Sequence, residues 1–238
     1  PVTTTHARAP EDAQNSMTDS PHVWVFVGGF ILTAIAGFVN AVMLSAGLLP
    51  VTHLTGSVSR TAGDLLNGDV AEFHLLVIIL ISFVAGAMLS GMLIGDQRLS
   101  ASRSYGRTLL VEAFLFSLAA IAFDHVPWVA MALAAGASGV QNAMASTYAN
   151  LVLRTTHITG VATDLGLLLG RLLRTGRVEI WKLGLSVTLL VGFMGGGLAG
   201  WAAGQQVGVR ASLTIVAMTL LVLSGIYRFA IRVRRRGA

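Results

Sequence analysis

The chain alternates between long apolar stretches and short polar ones. Six stretches are long and apolar enough to cross a hydrocarbon core of about 30 Å, which takes roughly 20 helical residues. They cover residues 23–46, 73–95, 108–123, 127–149, 181–203 and 211–231, and the short third stretch can be extended by a turn from residues 104–107. Trp24, Trp128 and Trp181 stand at the starts of three of them, where amphipathic rings anchor at the membrane interface. The pattern predicts an all-α, polytopic membrane protein that is built as a helix bundle in the lipid bilayer.

Two intervening stretches, residues 57–67 and 161–173, have a helical pattern but are too short or too polar to cross the core alone. A helix of about 11 residues covers roughly half of the core. We therefore predict two re-entrant half-helices. Non-helical backbone at membrane depth is tolerated only where it is buried in protein or lines a wet cavity. If the connectors at residues 47–55 and 151–159 dip inward, they imply such a cavity.

The distribution of basic residues predicts the topology. With six spans and both termini in the cytoplasm, 14 of the 16 Lys and Arg residues lie in cytoplasmic segments, and only Arg60 and Arg210 lie outside. The alternative is seven spans, in which residues 57–67 cross the membrane and the N-terminus moves outside. If both short stretches crossed, the ends of the arginine-rich region at 154–182 would lie on opposite sides, which the positive-inside rule disfavours.

Composition agrees with a membrane protein and excludes several function classes. Apolar residues make up 54% and charged residues 11% of the chain, against about 25% charged in soluble domains. The net charge of +5 is accounted for by loop arginines, so we expect no nucleic-acid partner. The chain has no cysteine, its six histidines have no metal-ligand spacing, and no catalytic motif occurs. We therefore expect no enzyme activity, cofactor or metal.

The two ends of the chain are polar. Residues 1–22 have no apolar run and are predicted to be a disordered tail. Residues 233–238 are predicted to be a basic tail that contacts anionic headgroups on the cytoplasmic side.

Two motifs occur twice in the chain. Gly-x-x-Asn-Ala stands at residues 37–41 and 139–143, and Thr-His-x-Thr-Gly follows at 52–56 and 156–160. The offset between copies is 102 for the first motif and 104 for the second, and it reaches 109 for a glycine pattern at 86–95 and 195–204. An offset that grows in chain order is typical of a duplicated unit with loop insertions. Three spans per unit make residues 23–126 and 127–232 an inverted 3+3 repeat.

The doubled motif is the predicted functional centre. Threonine is a good N-cap and glycine permits close approach, so each residue also has an adequate structural explanation. In the functional interpretation, two half-helix N-termini at mid-membrane present free N–H groups to a small polar or anionic solute. Asn and Gln side chains orient the solute, while His or Asp relays protons. The candidate solute-binding residues are Asn40, Thr52, His53, Thr55, Gly56, Gln141, Asn142, Thr156, His157, Thr159, Gly160 and Asp164.

Two further features have simpler expectations. Gly192, Gly196, Gly200 and Gly204 recur every fourth residue and predict a smooth helix face, mainly for close helix packing and less for lining a pore. Such glycine-rich faces also permit association between copies of the chain. Glu112 stands about one turn inside the third stretch, and its side chain is expected to reach the cytoplasmic interface.

At these motifs the sequence resembles the YoaK family of bacterial membrane proteins, also called the domain-of-unknown-function 1275 family. That family has Gly-x-x-Asp-Ala, Thr-Gly-Asn, Gly-x-Gln-Asn-Ala and a second Thr-Gly. These correspond here to residues 37–41, 55–57, 139–143 and 159–160, and the likeness covers about residues 24–232. Asn40 replaces the usual acid and Ser57 the usual Asn, so a mechanism that needs a carboxylate at position 40 is in doubt here. The resemblance implies a bacterial inner-membrane protein and supplies no function.

Two functional hypotheses follow. The first is a small-solute transporter or channel whose site lies at mid-membrane between the inverted halves. The second is a membrane scaffold or regulatory module without transport activity, which binds a protein partner through its glycine faces and cytoplasmic arginines. An intramembrane enzyme is a more distant alternative, because no complete acid/base or nucleophile set is visible.

Overall fold

The structure, a computed structural model, describes residues 23–66, 68, 70–95, 103–147 and 157–236. These residues form eight helices and no strand. The helices are α1 (Val23–Ser45), α2 (Thr55–Leu66), α3 (Val70–Ile94), α4 (Arg103–Ala122), α5 (Pro127–Ser146), α6 (Ile158–Thr175), α7 (Ile180–Gln206) and α8 (Gly208–Arg236). The expected all-α helix bundle is therefore confirmed. The tail at residues 1–22 lies outside the described part of the chain.

Five helices in the described residues, α1, α3, α4, α7 and α8, are long and apolar enough to cross a membrane. The sixth expected span, α5, has 20 residues and a length of about 30 Å. Its hydropathy is lower because it carries small and polar side chains, and most of its residues are buried by neighbouring helices. A helix that contacts protein on most sides needs no apolar surface toward lipid. The polar residues on its buried face are Ser138 and Gln141, with Asn142 half-buried beside them.

The last helix is longer than the sequence pattern predicts. We expected a span at 211–231 and a separate basic tail at 233–238, but α8 continues to Arg236. Arginine is a good helix former, so the helix continues past the apolar stretch into the basic segment.

Two helix pairs are held together by close backbone contact at glycines. In the pair α1–α7, a Cβ atom on Gly37 would overlap the backbone carbonyl of Phe193. In the pair α3–α5, a Cβ atom on Gly139 would overlap the carbonyl of Phe83 in the same way. Gly37 and Gly139 are the first residues of the two Gly-x-x-Asn-Ala copies, so this glycine serves helix packing in both. Each pair joins a helix from the first half of the chain to one from the second.

The glycine face of α7 is used within the chain. Gly192, Gly196 and Gly200 are buried against α1, which agrees with the expectation of helix packing. The counterpart in the other pair is Gly86 of α3, where a Cβ atom would overlap the carbonyl of Gly136.

The contacts also give the relative directions of the helices. Along α1 and α7, Gly29 faces Leu189 and Ser45 faces Gly204, so the two helices run parallel. The helices α3 and α5 are also parallel, since residues 82 and 86 face 136 while 83 and 87 face 139. By contrast, α4 and α8 are antiparallel. Gly106 contacts Arg228 at one end, and Asp124 forms an ion pair with Arg210 at the other, with 2.6 Å between Oδ2 and Nη1.

The two short helices lie at the periphery of the bundle. With 12 residues, α2 is about 18 Å long, so it is too short to cross the core. It packs on α3, while α6 packs on α7 through Val161 and Leu168. At 18 residues, α6 is longer than the predicted 161–173 by about a turn. It ends at Gly176, whose positive φ of 65° forms a left-handed C-cap.

Candidate functional site

The connector between α1 and α2 turns back along α1. Thr52 is buried, and its hydroxyl donates to Asn40 Oδ1 at 2.9 Å and lies 3.4 Å from the carbonyl oxygen of Ala36. Those partners stand five and nine residues before Ser45, where α1 ends. At 1.5 Å per residue, Thr52 lies about 8–14 Å below the end of α1. The backbone between α1 and α2 therefore turns back into the bundle. The first Thr-His-x-Thr-Gly segment begins there, about 8–14 Å below the end of α1.

The amide of Gln141 connects the two halves of the chain deeper in the bundle, about 20 Å below the end of α1. Gln141 is fully buried in α5, and its Nε2 donates to the carbonyl oxygen of Leu32 in α1 at 2.6 Å. Asn142 is half-buried beside it and also has an interaction partner. A buried amide without partners costs several kcal/mol, so this bond stabilises the crossing of α1 and α5.

The structure brings the two Thr-His-x-Thr-Gly segments together at their histidines. The rings of His53 and His157 have centroids 6.2 Å apart and an interplanar angle of 87°. The edge of one imidazole therefore faces the plane of the other. His53 is half-buried, whereas His157 is exposed. Residues 104 positions apart in the sequence thus lie side by side.

Histidine, not threonine, caps the second short helix. The expected N-cap role of threonine is wrong here, because α6 begins at Ile158 and Thr159 already lies in its first turn. The Gly160 N–H donates to Nδ1 of His157 at 3.1 Å, so the imidazole satisfies one of the free N–H groups at the helix start. In the first copy, Thr55 is likewise the first helical residue, and the carbonyl of Leu54 accepts from Val58 N–H at 2.9 Å. The free N–H groups precede Val58 in α2.

The remaining candidates lie on the surface of the chain. Thr55, Gly56, Thr159 and Asp164 are exposed and Gly160 is half-buried. Neither Thr55 nor Thr159 is enclosed in a dry helix interface, so both are accessible to water, lipid or solute. Thr156 lies outside the described residues.

Two hydroxyls beside the first motif are buried without a partner. Ser57 and Thr61 are one turn apart on the inner face of α2, and neither oxygen has a hydrogen-bond partner among the described residues. Buried polar atoms are nearly always paired with protein or water. These two groups can therefore bind a solute or a water molecule. In the sequence, Ser57 differs from the family pattern, and Thr61 stands four residues after it, a spacing that indicates a shared helix face.

The expectation for Glu112 is wrong. Its side chain is fully buried, and neither carboxyl oxygen has a hydrogen-bond partner in the described residues. The predicted span started at 108, but α4 starts at Arg103, so Glu112 lies at the middle of the helix. The sequence signal was present, because an ionisable residue within a span is a functional candidate.

An apolar groove of 410 Å³ lies between α1, α7 and α8, lined among others by Phe30, Phe38 and Ile215. None of the candidate solute-binding residues lines it. Among the described residues, no group of three His, Cys, Asp or Glu side chains is placed to hold a metal ion.

The long apolar helices and the buried polar residues between them define a multi-pass helical membrane protein. A family model described as protein of unknown function (DUF1275) matches residues 28–226. The chain therefore belongs to the DUF1275 family, as the motif resemblance indicated. Comparison with curated proteins found no match. Comparison with solved structures found none either.

Proposed function

We propose that the protein is a membrane transporter or channel for a small polar or anionic solute. The solute binds where the two Thr-His-x-Thr-Gly segments meet. The observation that carries this proposal is the contact between the His53 and His157 rings. A pair of distant sequence motifs that converge on one point is the expected arrangement for a site between two repeats, and transporters place such sites near mid-membrane.

The groups around this point suit such a solute. The starts of α2 and α6 present backbone N–H groups and the positive ends of two helix dipoles, which favour negative charge. The unpartnered hydroxyls of Ser57 and Thr61 can donate or accept. The imidazoles of His53 and His157 add a polar surface on the same side. The site therefore favours a small anion or a neutral molecule with several hydrogen-bonding groups.

The helix packing supports an inverted repeat. The first helix of the first half, α1, packs on α7, which follows the short helix of the second half. In the same way, α5, the first helix of the second half, packs on α3, which follows the short helix of the first half. The closest contacts fall at equivalent positions, since Gly37 meets Phe193 and Gly139 meets Phe83. Each of these two interfaces pairs a helix of one half with a helix of the other half. A pseudo-two-fold axis in the membrane plane produces two such equivalent interfaces.

The directions of the helices favour six spans over seven. If the chain has six spans and α2 and α6 are re-entrant, α1 is parallel to α7 and α3 is parallel to α5. The contacts between these helices give the same directions. If α2 alone crossed the membrane, α1 and α7 would be antiparallel. With six spans, the basic C-terminal end of α8 lies in the cytoplasm, in agreement with the positive-inside rule.

Transport is tested with the purified chain in liposomes. Light scattering follows the recovery of liposome volume after an osmotic shock with glycerol, urea, sodium formate or sodium nitrate. We expect faster recovery than in empty liposomes for at least one solute, and slower recovery for Asn142→Ala and His157→Ala. His125→Ala is the matched control, since His125 is exposed in the turn after α4.

A second histidine variant separates helix capping from solute binding. His157→Asn supplies an alternative N-cap acceptor but removes the ring. We expect it to have wild-type thermal stability and reduced flux. The proposal fails if no solute enters faster than in empty liposomes, or if His157→Asn and Asn142→Ala transport as fast as His125→Ala.

A further inference from the structure

Glu112 is the one Asp, Glu, Lys, Arg or His side chain that is fully buried in the part of the chain that the structure describes. It is fully buried and has no hydrogen-bond partner in the described residues. It stands nine residues after Arg103 and ten before Ala122, so each end of α4 is about 14–15 Å away. An unpaired carboxylate charge at that depth is very costly, whereas a neutral carboxylic acid is tolerated.

Among the described residues of the neighbouring helices, no charged group is placed to neutralise this carboxyl. The whole of α5 lacks ionisable residues, and so does the part of α8 from 211 to 226. The ionisable groups of α8 lie near its two ends, with Arg210 on Asp124 and Arg228 on Gly106. On α3 they are Glu72 and His74, in its first two turns. On α4 itself, Tyr105 and Arg107 lie toward the start.

Among the described residues, Glu112 belongs to no group of three His, Cys, Asp or Glu side chains that could hold a metal ion. A hard cation in a protein is bound by several oxygen ligands. The nearest hydroxyl along α4, that of Thr108, donates to the carbonyl of Ser104 at 2.9 Å and is not a partner of Glu112. A proton needs only the carboxyl group itself.

Glu112 lies on the same face of α4 as Tyr105, which meets both the end of α5 and Tyr227 of α8. The Tyr105 hydroxyl donates to the carbonyl oxygen of Thr147 at 2.8 Å, which places the start of α4 beside the end of α5. Glu112 is seven residues after Tyr105, hence on the same helix face two turns deeper. Because α4 and α5 are antiparallel, Glu112 is level with residues 140–141. The carboxyl group therefore lies at the depth of Gln141, a candidate solute-binding residue.

The two halves of the chain differ at this interface. The equivalent of the α4–α5 contact under the proposed repeat is the contact of α8 with α1, which is less extensive. There, the apolar groove between α1, α7 and α8 takes the place of close packing. The α4–α5 interface is therefore closely packed, and the equivalent α8–α1 interface is open. Two equivalent interfaces that pack differently show two arrangements that the same kind of interface can adopt.

We propose that Glu112 is the proton-binding site that couples transport to proton movement, and that it is uncovered when α4 moves off α5. After this movement, the α4–α5 interface is packed as openly as the α8–α1 interface is in this structure. Glu112 releases its proton when it reaches water on one side and binds one on the other. This inference rests on the proposed transport function.

Two experiments on the full-length chain test it. In the first, the protein in liposomes is treated with dicyclohexylcarbodiimide, which modifies protonated carboxyl groups in apolar surroundings, and the labelled residue is identified by mass spectrometry. We expect modification of Glu112 at acidic pH, a loss of labelling as the pH rises, and no modification of Glu179, which is exposed and ion-paired with Lys182. In the second, liposomes containing the dye pyranine report proton uptake under a potassium diffusion potential set with valinomycin.

The variants fix the interpretation. We expect Glu112→Gln to reduce proton uptake to the level of empty liposomes, while Glu112→Asp and the control Glu179→Gln retain it. If Glu112 is not labelled, or if a folded Glu112→Gln takes up protons like wild type, the proposal is overturned. The labelling experiment uses only the wild-type chain, so it tests the proposal even if Glu112→Gln does not fold. If Glu112 is labelled while wild-type liposomes pass neither solute nor protons, the proton-binding site stands and the proposed transport function fails.

Discussion

At the scale of single residues, the polar side chains inside the bundle fall into two groups. Thr52, Asn40 and Gln141 are paired with protein groups and therefore stabilise the arrangement of α1, α5 and the connector. Within the part of the chain that the structure describes, Ser57, Thr61, Ser90 and Glu112 are buried without a hydrogen-bond partner. Because an unsatisfied buried polar group costs about 1–3 kcal/mol, the second group contains the stronger candidates for binding a solute or proton.

The hydrogen bond of Thr52 is testable by an isosteric change. Thr52→Val removes the hydroxyl that donates to Asn40 and leaves the Asn40 amide oxygen without that donor. We expect a loss of about 1–2 kcal/mol in the free energy of unfolding. Thr214→Val is the control, since Thr214 is exposed and bonds only within its own helix. Thermal unfolding in detergent measures both, and equal stability of the two variants would contradict the role of Thr52.

At the scale of helices, glycine determines which pairs form. Gly37, Gly139, Gly86, Gly196 and Gly200 each lie against a backbone carbonyl of the partner helix. Without an aqueous hydrophobic effect between helices in lipid, such close van der Waals contact is a main source of helix association. Two of these glycines begin the repeated Gly-x-x-Asn-Ala motif, so the motif combines a packing residue with a polar one a turn later.

Alanine substitutions test the equivalence of the two helix pairs. Gly37→Ala and Gly139→Ala each place a methyl group against a backbone carbonyl that cannot move independently. We expect each to destabilise the protein by about 1–3 kcal/mol, as overpacking does. Gly91→Ala is the control, because a Cβ atom there meets no atom within 4 Å and alanine favours the helix. Urea unfolding in detergent gives the three values. If either motif variant is as stable as Gly91→Ala, close packing at that glycine is disproved.

At the scale of the whole molecule, topology connects the site to the two sides of the membrane. The short helices α2 and α6 belong to opposite halves, and in the six-span arrangement they enter from opposite faces. The ion pair of Asp124 with Arg210 then lies outside, and the exposed turn after α6 lies inside. A site between two such entrances is within reach of both sides, as alternating access requires.

The absence of natural cysteines makes the topology directly measurable. Ala46→Cys is predicted to react with a membrane-impermeant maleimide added to intact cells, because six spans place the end of α1 outside. His125→Cys is the external control and Arg177→Cys the internal one. Labelling of Ala46→Cys only after permeabilisation would support seven spans and overturn the six-span arrangement.

The sequence alone determined the class of the protein and most of its helices. Length and apolarity predict the spans, since a helix in lipid must satisfy its backbone internally and expose about 20 apolar residues. Sequence also indicated the repeat, because matching motifs keep their order along the chain. It did less well at helix ends. The start of α4 at Arg103 and the extension of α8 to Arg236 fall in polar segments, where hydropathy carries no signal.

Only the tertiary structure decided which residues meet. The contact of His53 with His157 and the helix pair α1–α7 join segments more than a hundred residues apart, and the pair α3–α5 joins segments about 50 residues apart. Periodicity reports which face of a helix is apolar, but not which helix covers that face. The same holds for Glu112. The sequence shows that an acidic residue stands within a predicted span. That no partner faces it is a property of the packing of α4 against α5 and α8, because burial and pairing depend on neighbours from elsewhere in the chain.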